Sequence, residues 1–364
     1  LKVQGFQIAS STQMIIASPL PAEDLVHILK HTSPLWEEAR GKSFFITGGT
    51  GFFGMWLLES FTRINDALKL GARATVLTRD PGSFARKAPH LAGRADLRFI
   101  QGDIRDFEFP AGDYDYLIHA ATEASAKLNN EAPDEMLDAI VAGMRRTLDF
   151  AEQANIKKFL FTSSGAVYGR QPSALTHVPE DYNGAPDCLD PGSAYGEGKR
   201  IAELMAAIHA KHHPCEIKIA RCFAFVGPHL PLDSHFAIGN FLRDVMAGSP
   251  IRIGGDGTPY RSYLYAADLS IWLWTILFKG KSLRPYNVGS EEDYSIARLA
   301  LVVNEALGGN SLIEFARSPE PNSSPSRYVP AVARAKAELE LDCFIPLAES
   351  LHRTRLWHEA KNAL

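Results

Sequence analysis

The sequence predicts an α/β fold: a doubly wound parallel sheet with a smaller C-terminal lobe. Three observations carry that prediction. Strand-like and helix-like segments alternate from residue 43 onward, as in a parallel sheet covered by helices. The first apolar run, Phe44-Phe45-Ile46, enters a turn with glycines at 48, 51 and 54. Beyond about residue 222 the alternation gives way to irregular segments with Pro228, Pro231, Pro250 and the turn Gly254-Gly255-Asp256-Gly257. A length of 364 residues suits one large domain plus a smaller lobe.

Taken in order, residues 1–40 form an N-terminal extension. Within it Asp24 to His31 predicts a short amphipathic helix with Leu25, Ile28 and Leu29 on one face, and Trp36 is expected to pack against the main body. The first strand runs to Thr47, and Trp56, Leu57, Phe61 and Ile64 give the following segment a helical period. Further strands are expected at Ala74–Thr78, Leu97–Ile100, Tyr116–Ala121, Lys158–Thr162 and Glu216–Ala220. Long helices are expected at about 132–154 and 195–212. Residues 170–192, rich in Pro, Asp and Gly, read as a surface loop. A helix over 266–278, another over 331–341, and a return of about 263–290 to the main domain complete the pattern. Residues 41–221 are thus mainly the sheet domain and 222–364 mainly the second lobe.

Composition narrows the function. A net charge of −4 leaves no basic excess to neutralise nucleic-acid phosphates. The cysteines at 188, 215, 222 and 343 show no CxxC pairing and no metal spacing, so free thiols and no metal are expected. No apolar run reaches membrane-spanning length, and Met14 to Ala17 is too short for a signal segment, so the expected location is cytoplasmic.

The glycine turn is where chemistry begins. Glycines between a strand and a helix let the backbone turn tightly and let a pyrophosphate approach the main chain, facing the first N–H groups of the helix. The predicted sheet is therefore Rossmann-like. The fifth strand leads into Ser163-Ser164-Gly165-Ala166-Val167-Tyr168-Gly169, which offers a hydroxyl at the ligand edge of the sheet. Tyr195 and Lys199 are four residues apart on a helix and share a face. The ammonium is expected to pull the phenol from about pH 10 toward neutrality, which makes a usable acid/base.

With these pieces in place, the chain resembles the extended short-chain dehydrogenase/reductase family, in its group of nucleotide-sugar epimerases, dehydratases and reductases. The resemblance spans about residues 43–360. TGGTGFFG at 47–54 resembles TGxxGxxG, GDIRD at 102–106 the adenine-side acidic motif, and HAA at 119–121 the segment lining the cofactor. SSGAVYG at 163–169 and YGEGK at 195–199 match the catalytic pair. RCFAFVGP at 221–228 is similar to RxFNxxGP, GDGTPYRSYLYAADL at 255–269 to GDGxxxRxxxYVxD, and YNVGS at 286–290 also fits.

This resemblance implies a nucleotide-sugar enzyme that moves hydride at C4. Tyr195 is then the acid/base, Lys199 lowers its pKa and bonds the nicotinamide ribose, and Ser164 hydrogen-bonds the sugar oxygen. Cofactor contacts are implied for Gly48, Thr50, Gly51, Phe52, Phe53 and Gly54. The same holds for Asp103, which would contact the adenine, and for Ile104, Ala120, Ala121 and Thr162. Arg261, with Ser164, is implied at the substrate, where it holds the diphosphate. A homodimer through a four-helix contact is implied as well.

Departures refine the reading. Dehydratases of this group resemble STDEVYG and decarboxylases STSEVYG, whereas Gly165 and Ala166 carry no acid/base group. That favours a 4-epimerase or a 4-keto-sugar reductase over a 4,6-dehydratase or decarboxylase, with a non-catalytic nucleotide sensor as the alternative of another class. The motif asparagines are replaced by Ala224 and Ile140. At the end of the second strand Thr78 and Arg79 suit the 2′-phosphate of NADP, while Asp80, one or two places late for an NAD-type acid, keeps NAD as the alternative. His209, His212, His213 and Cys215 end a helix, where His is favoured by the dipole, and Asp233-Ser234-His235 are too close in sequence for a hydrolytic triad.

Overall fold

Successive residues of the first strand enter two different apolar layers. Phe44 and Ile46 pack into one core cluster and Phe45 into the other, because neighbouring strand side chains point to opposite faces. A strand buried on both faces needs helices above and below its sheet. The computed structural model contains that sheet; it describes residues 19–122, 126–234, 236–319 and 324–362. Met14 to Ala17 and His235 lie outside the described residues.

Helix α1 (Ala22–Thr32) precedes β1 (Ser43–Thr47), α2 (Phe52–Leu68), β2 (Arg73–Thr78) and the short helices α3 (Pro81–Lys87) and α4 (Pro89–Ala92). Then come β3 (Leu97–Gln101), β4 (Tyr116–His119), α5 (Ala126–Glu131), α6 (Pro133–Gln153) and β5 (Lys158–Ser164). After the long loop follow α7 (Ala194–His209), β6 (Glu216–Cys222), β7 (Phe225–Val226), α8 (Ala237–Met246) and β8 (Ile251–Ile253). The chain continues through β9 (Tyr260–Ser262), β10 (Leu264–Tyr265), α9 (Ala266–Lys279), β11 (Pro285–Val288) and β12 (Asp293–Ser295). It ends with α10 (Ile296–Ala306), β13 (Ile313–Phe315), β14 (Arg327–Tyr328), α11 (Ala333–Leu339) and α12 (Leu347–Asn362).

The seven-stranded sheet has the order β11-β6-β5-β4-β1-β2-β3, and every neighbouring pair is parallel. Strand order reverses between β1 and β4, the crevice where such sheets bind ligands. Strand ends differ from the sequence reading. The fourth strand stops at His119, so Ala120 and Ala121 belong to the loop beyond it. The fifth runs on to Ser164, because Ser163 and Ser164 pair with Arg221 and Cys222 of a sixth strand that is also longer than expected.

The N-terminal segment from Ala22 is part of this body. Trp36 is fully buried, with ring centres 4.6 Å from Trp274 and 5.2 Å from Phe278. The buried Asp24 carboxylate accepts hydrogen bonds from the Tyr265 hydroxyl at 2.6 Å and an Arg353 N–H at 2.7 Å. With α1 laid over α9, every residue from Ala266 to Phe278 is buried, so Trp272 and Trp274 are both core residues. The irregular C-terminal part forms three small sheets, β12-β9-β14, β13-β8 and β10-β7. A bridge between Val178 and Pro330 ties the long loop to it.

Candidate active site

At the crevice, Gly48 has φ +73°, and a Cβ there would collide with the Ala120 carbonyl at the end of β4. Only glycine permits that approach. The Thr47 hydroxyl sits 2.9 Å from His119 Nδ1 and accepts the Ala121 N–H at 3.3 Å, which fixes the two strand ends together. No side chain caps the first turn of α2. The N–H groups of Phe52, Phe53 and Gly54 at its start therefore have no intrahelical partner and suit an anion. A cavity of about 450 Å³ opens before this turn.

Most of the expected site residues meet in that cavity. Gly48, Gly51, Phe52 and Phe53 line one side, with Ala120 and Thr162 beside them. Ser164, Tyr195 and Lys199 line it as well. Thr78 and Arg79 stand at the end of β2, and Asp103 and Ile104 just beyond β3, all outside this lining. Arg261, on β9, also lies outside the lining, with its guanidinium 5.9 Å from the Tyr328 ring centre.

Lys199 is 2% exposed. Its ammonium donates to Thr122 Oγ1 at 2.9 Å and to the Thr162 carbonyl at 2.8 Å. An ammonium has three N–H groups, so one remains for a cofactor hydroxyl. Together with the uncapped turn and the close approach at Gly48, this donor set fits a nicotinamide dinucleotide. Burial pushes the Lys199 pKa down to about 8.

The expectation that Lys199 brings Tyr195 toward neutrality is corrected by the structure. Burial pushes the phenol up to about 12, against a smaller downward pull from its hydrogen bond with Ser164. The ammonium is 5.9 Å from the ring centre and already hydrogen-bonded elsewhere. Desolvation of a phenolate outweighs a charge at that distance.

Tyr328 was not legible in the sequence. Its hydroxyl lies 3.3 Å from Ser164 Oγ and 3.4 Å from the Cys222 carbonyl, and its ring is 4.7 Å from that of Phe223. It thus stands between Ser164 and Arg261, 164 residues from the serine it touches. The Ala166 N–H also donates to Ser164 Oγ at 3.1 Å. A side chain at Gly165 would meet the Phe223 ring at 2.6 Å, so that ring would have to shift to admit one. Behind the strand ends, Arg221 donates to both Glu203 oxygens at 2.7 and 3.0 Å and to the Tyr168 hydroxyl at 2.8 Å. Ser163 donates to the same glutamate at 2.6 Å.

Other candidates resolve simply. Ile140 is buried against Gly198 between α6 and α7. The Asp103 carboxylate is paired with Arg105 at 2.8 Å and with its N–H at 3.0 Å, which holds its pKa below the usual range. His209 and His213 stack on each other 4.2 Å apart, and among the described residues no group of three metal-ligating side chains occurs. No helix of the described residues is long and apolar enough to cross a membrane.

Comparisons with known proteins give the family and the fold. A family model for the NAD dependent epimerase/dehydratase family matches residues 44–289. UDP-glucuronic acid decarboxylase 1 of Arabidopsis thaliana is 30% identical over 311 residues, 85% of this chain and 68% of that protein. The zebrafish (Danio rerio) UDP-glucuronic acid decarboxylase 1 is 27% identical over 328 residues, 88% of this chain and 75% of that protein. Among solved structures, the UDP-glucose 4-epimerase of Thermotoga maritima superposes with a TM-score of 0.74 at 22% identity, covering 88% of this chain and 99% of that one. The UDP-glucuronic acid 4-epimerase of Bacillus cereus gives 0.73 at 21%, covering 87% and 99%. The two structures share the fold.

The buried lysine makes a stability prediction. Below about pH 8 Lys199 is charged in both folded and unfolded chains, and the folded chain bears the cost of burying it. Between pH 8 and 10.5 only the unfolded chain keeps the proton, so that cost falls as pH rises. Lys199→Met is therefore expected to be more stable than the parent by about 1–3 kcal/mol at pH 7, with little gain at pH 10.5. Urea unfolding at the two pH values reads the difference. A less stable variant at pH 7 would mean that the bonds to Thr122 and Thr162 outweigh burial.

Proposed function

The chain belongs to the NAD dependent epimerase/dehydratase family, and from that premise we propose that it performs oxidation–reduction at C4 of a nucleotide sugar, as a 4-epimerase or 4-keto-sugar reductase. One observation supports this above others. The cavity holds a hydroxyl, a phenol and an ammonium, and among the described residues no carboxylate lines it. Loss of water across C5 and C6 needs an acid and a base beside the ring. Gly165 and Ala166 carry no acid/base group, and the Ala166 N–H donates to Ser164 Oγ.

In this reading Tyr195 gives the sugar oxygen its proton or takes it back, and Ser164 holds that oxygen by a hydrogen bond. Lys199 bonds the cofactor ribose and stabilises the phenolate as it forms. The turn from Gly48 to Gly54 receives the pyrophosphate, Asp103 and Ile104 face the adenine, and Ala120, Ala121 and Thr162 flank the nicotinamide. When bound, the nicotinamide supplies hydride transfer at the sugar carbon. The lobe formed mainly by residues 222–364 holds the sugar nucleotide, with Arg261 on its diphosphate. A second reading, decarboxylation, is favoured by the similarity to UDP-glucuronic acid decarboxylases. Oxidising C4 of a uronate yields a β-keto acid, which can lose CO₂ without another base.

NADP is the proposed cofactor, with NAD the alternative. Asp80 is committed to capping α3, accepting the Ser83 N–H at 2.8 Å, whereas Arg79 is exposed. A homodimer is proposed through α6 and α7, which pack side by side while α7 exposes Leu204 and Ile208.

Tyr195→Phe is expected to lower kcat about 10²- to 10⁴-fold while nucleotide-sugar binding persists. Product NMR with a panel of nucleotide sugars separates the readings: a new C4 configuration without net redox change marks the epimerase, and NADPH consumption marks the reductase. A 4-keto-6-deoxy product or a pentose would overturn both, and an unaltered Tyr195→Phe phenotype would favour a nucleotide sensor. Arg79→Ala should weaken NADPH about tenfold and NADH little in fluorescence titration; equal losses would remove the case for NADP. Light scattering is expected to find a dimer, and a monomer at working concentration refutes the proposed contact.

A further inference from the structure

The first turn of α7 is capped by a side chain from another helix. Ser193, at the N-cap position, makes no side-chain hydrogen bond to the turn. The Asn129 amide on α5 does so instead. Its Oδ1 accepts the Tyr195 N–H at 3.0 Å, and its Nδ2 donates to the Gly192 carbonyl at 2.8 Å. Gly192 lies in the turn before α7, and its own N–H donates to Asp190 Oδ1 at 2.9 Å. One planar group, with an acceptor and a donor side by side, thus holds both that turn and the backbone of Tyr195. A second tie joins the same two stretches of chain: Lys199, one turn further along α7, donates to Thr122 beyond β4 at 2.9 Å. Asn129 does not line the cavity, so it reaches the site only through α7.

Holding the Tyr195 N–H fixes where the side chain leaves the helix. Any tilt of the first turn is magnified along that side chain to the phenol. A misplacement of about 1 Å at a reacting group can cost about a hundredfold in rate. We propose that Asn129 is a positioning residue, which sets the pose of the Tyr195 hydroxyl in the cavity by bridging Gly192 and Tyr195. This rests on the nucleotide-sugar reading above, in which Tyr195 moves the proton, and adds to it a residue outside the cavity. Asn129 then serves turnover and not the binding of cofactor or sugar nucleotide.

Two variants separate this role from simple capping. Asn129→Ala removes both bonds, whereas Asn129→Asp keeps the acceptor for the Tyr195 N–H and loses the donor to Gly192. Hydrogen exchange at the Tyr195 amide, read by NMR, is expected to quicken about tenfold in Asn129→Ala and to stay near the parent in Asn129→Asp. Unchanged exchange in Asn129→Ala overturns the inference. Kinetics then use the nucleotide sugar of the product-NMR panel that the parent turns over. Asn129→Ala is expected to lower kcat about tenfold, with KM for that sugar within about twofold of the parent. NADPH and NADH affinities, from fluorescence titration, are expected to stay within the same margin. Asn129→Asp is expected to recover kcat to within about threefold, since a carboxylate suits a helix N-terminus. An unchanged kcat in Asn129→Ala, a loss shared by KM and cofactor affinity, or an Asp variant as slow as the Ala variant overturns the positioning role. An Ala variant that fails to fold also overturns it, in favour of a structural one. If the parent turns over no member of the panel, the nucleotide-sugar reading fails and this role falls with it. With an active parent, the negative results above sink the positioning role alone.

Discussion

A buried ammonium is the constraint around which this site is built. Lys199 keeps a positive charge almost out of water, held by the Thr162 carbonyl near the end of one strand and the Thr122 hydroxyl just past the neighbouring strand. That arrangement requires β4 and β5 to end side by side and α7 to begin over them. It also explains the behaviour of Tyr195. The same dry surroundings that depress the lysine raise the phenol, so the pair is poised from opposite sides, each held nearer its neutral form.

Rigidity behind the site comes from polar groups that are well satisfied. Ser163, Glu203, Arg221, Tyr168 and Asn287 form a chain of hydrogen bonds that links β5, α7, β6, the turn after β5 and β11. A half-satisfied buried network is costly, whereas a complete one specifies a single arrangement of the strand ends. On the other side of the sheet, α1 and Trp36 seal α9. The N-terminal segment therefore contributes to the same body that positions the glycine turn, through Trp274, which donates to Ser60 Oγ on α2 at 2.9 Å.

Similarity and site chemistry point in different directions here, and the difference is physical. Two of the sequence relatives are UDP-glucuronic acid decarboxylases by name, at 27% and 30% identity. Substrate choice depends on the few side chains around the reacting carbon. Next to Ser164 this chain has Gly165 and Ala166, and Ala224 lines the cavity; none of the three carries a charge.

Local patterns in the sequence were enough for the sheet, the glycine turn and the Tyr195–Lys199 pair, because periodicity and short spacing act over a few residues. Ser164 was legible for the same reason, standing at a strand end. Tyr328 was not, since nothing near it in the chain marks a residue that reaches Ser164 across 164 positions. Nor was the sign of the Tyr195 shift, which depends on how many atoms from distant segments exclude water. The extra length of β5 came from pairing with β6, and the covering of α9 from α1. By itself, the sequence determined which elements form and which polar groups meet at the sheet edge. Tertiary structure alone decided what surrounds those groups, because desolvation and long-range packing are properties of the assembled volume.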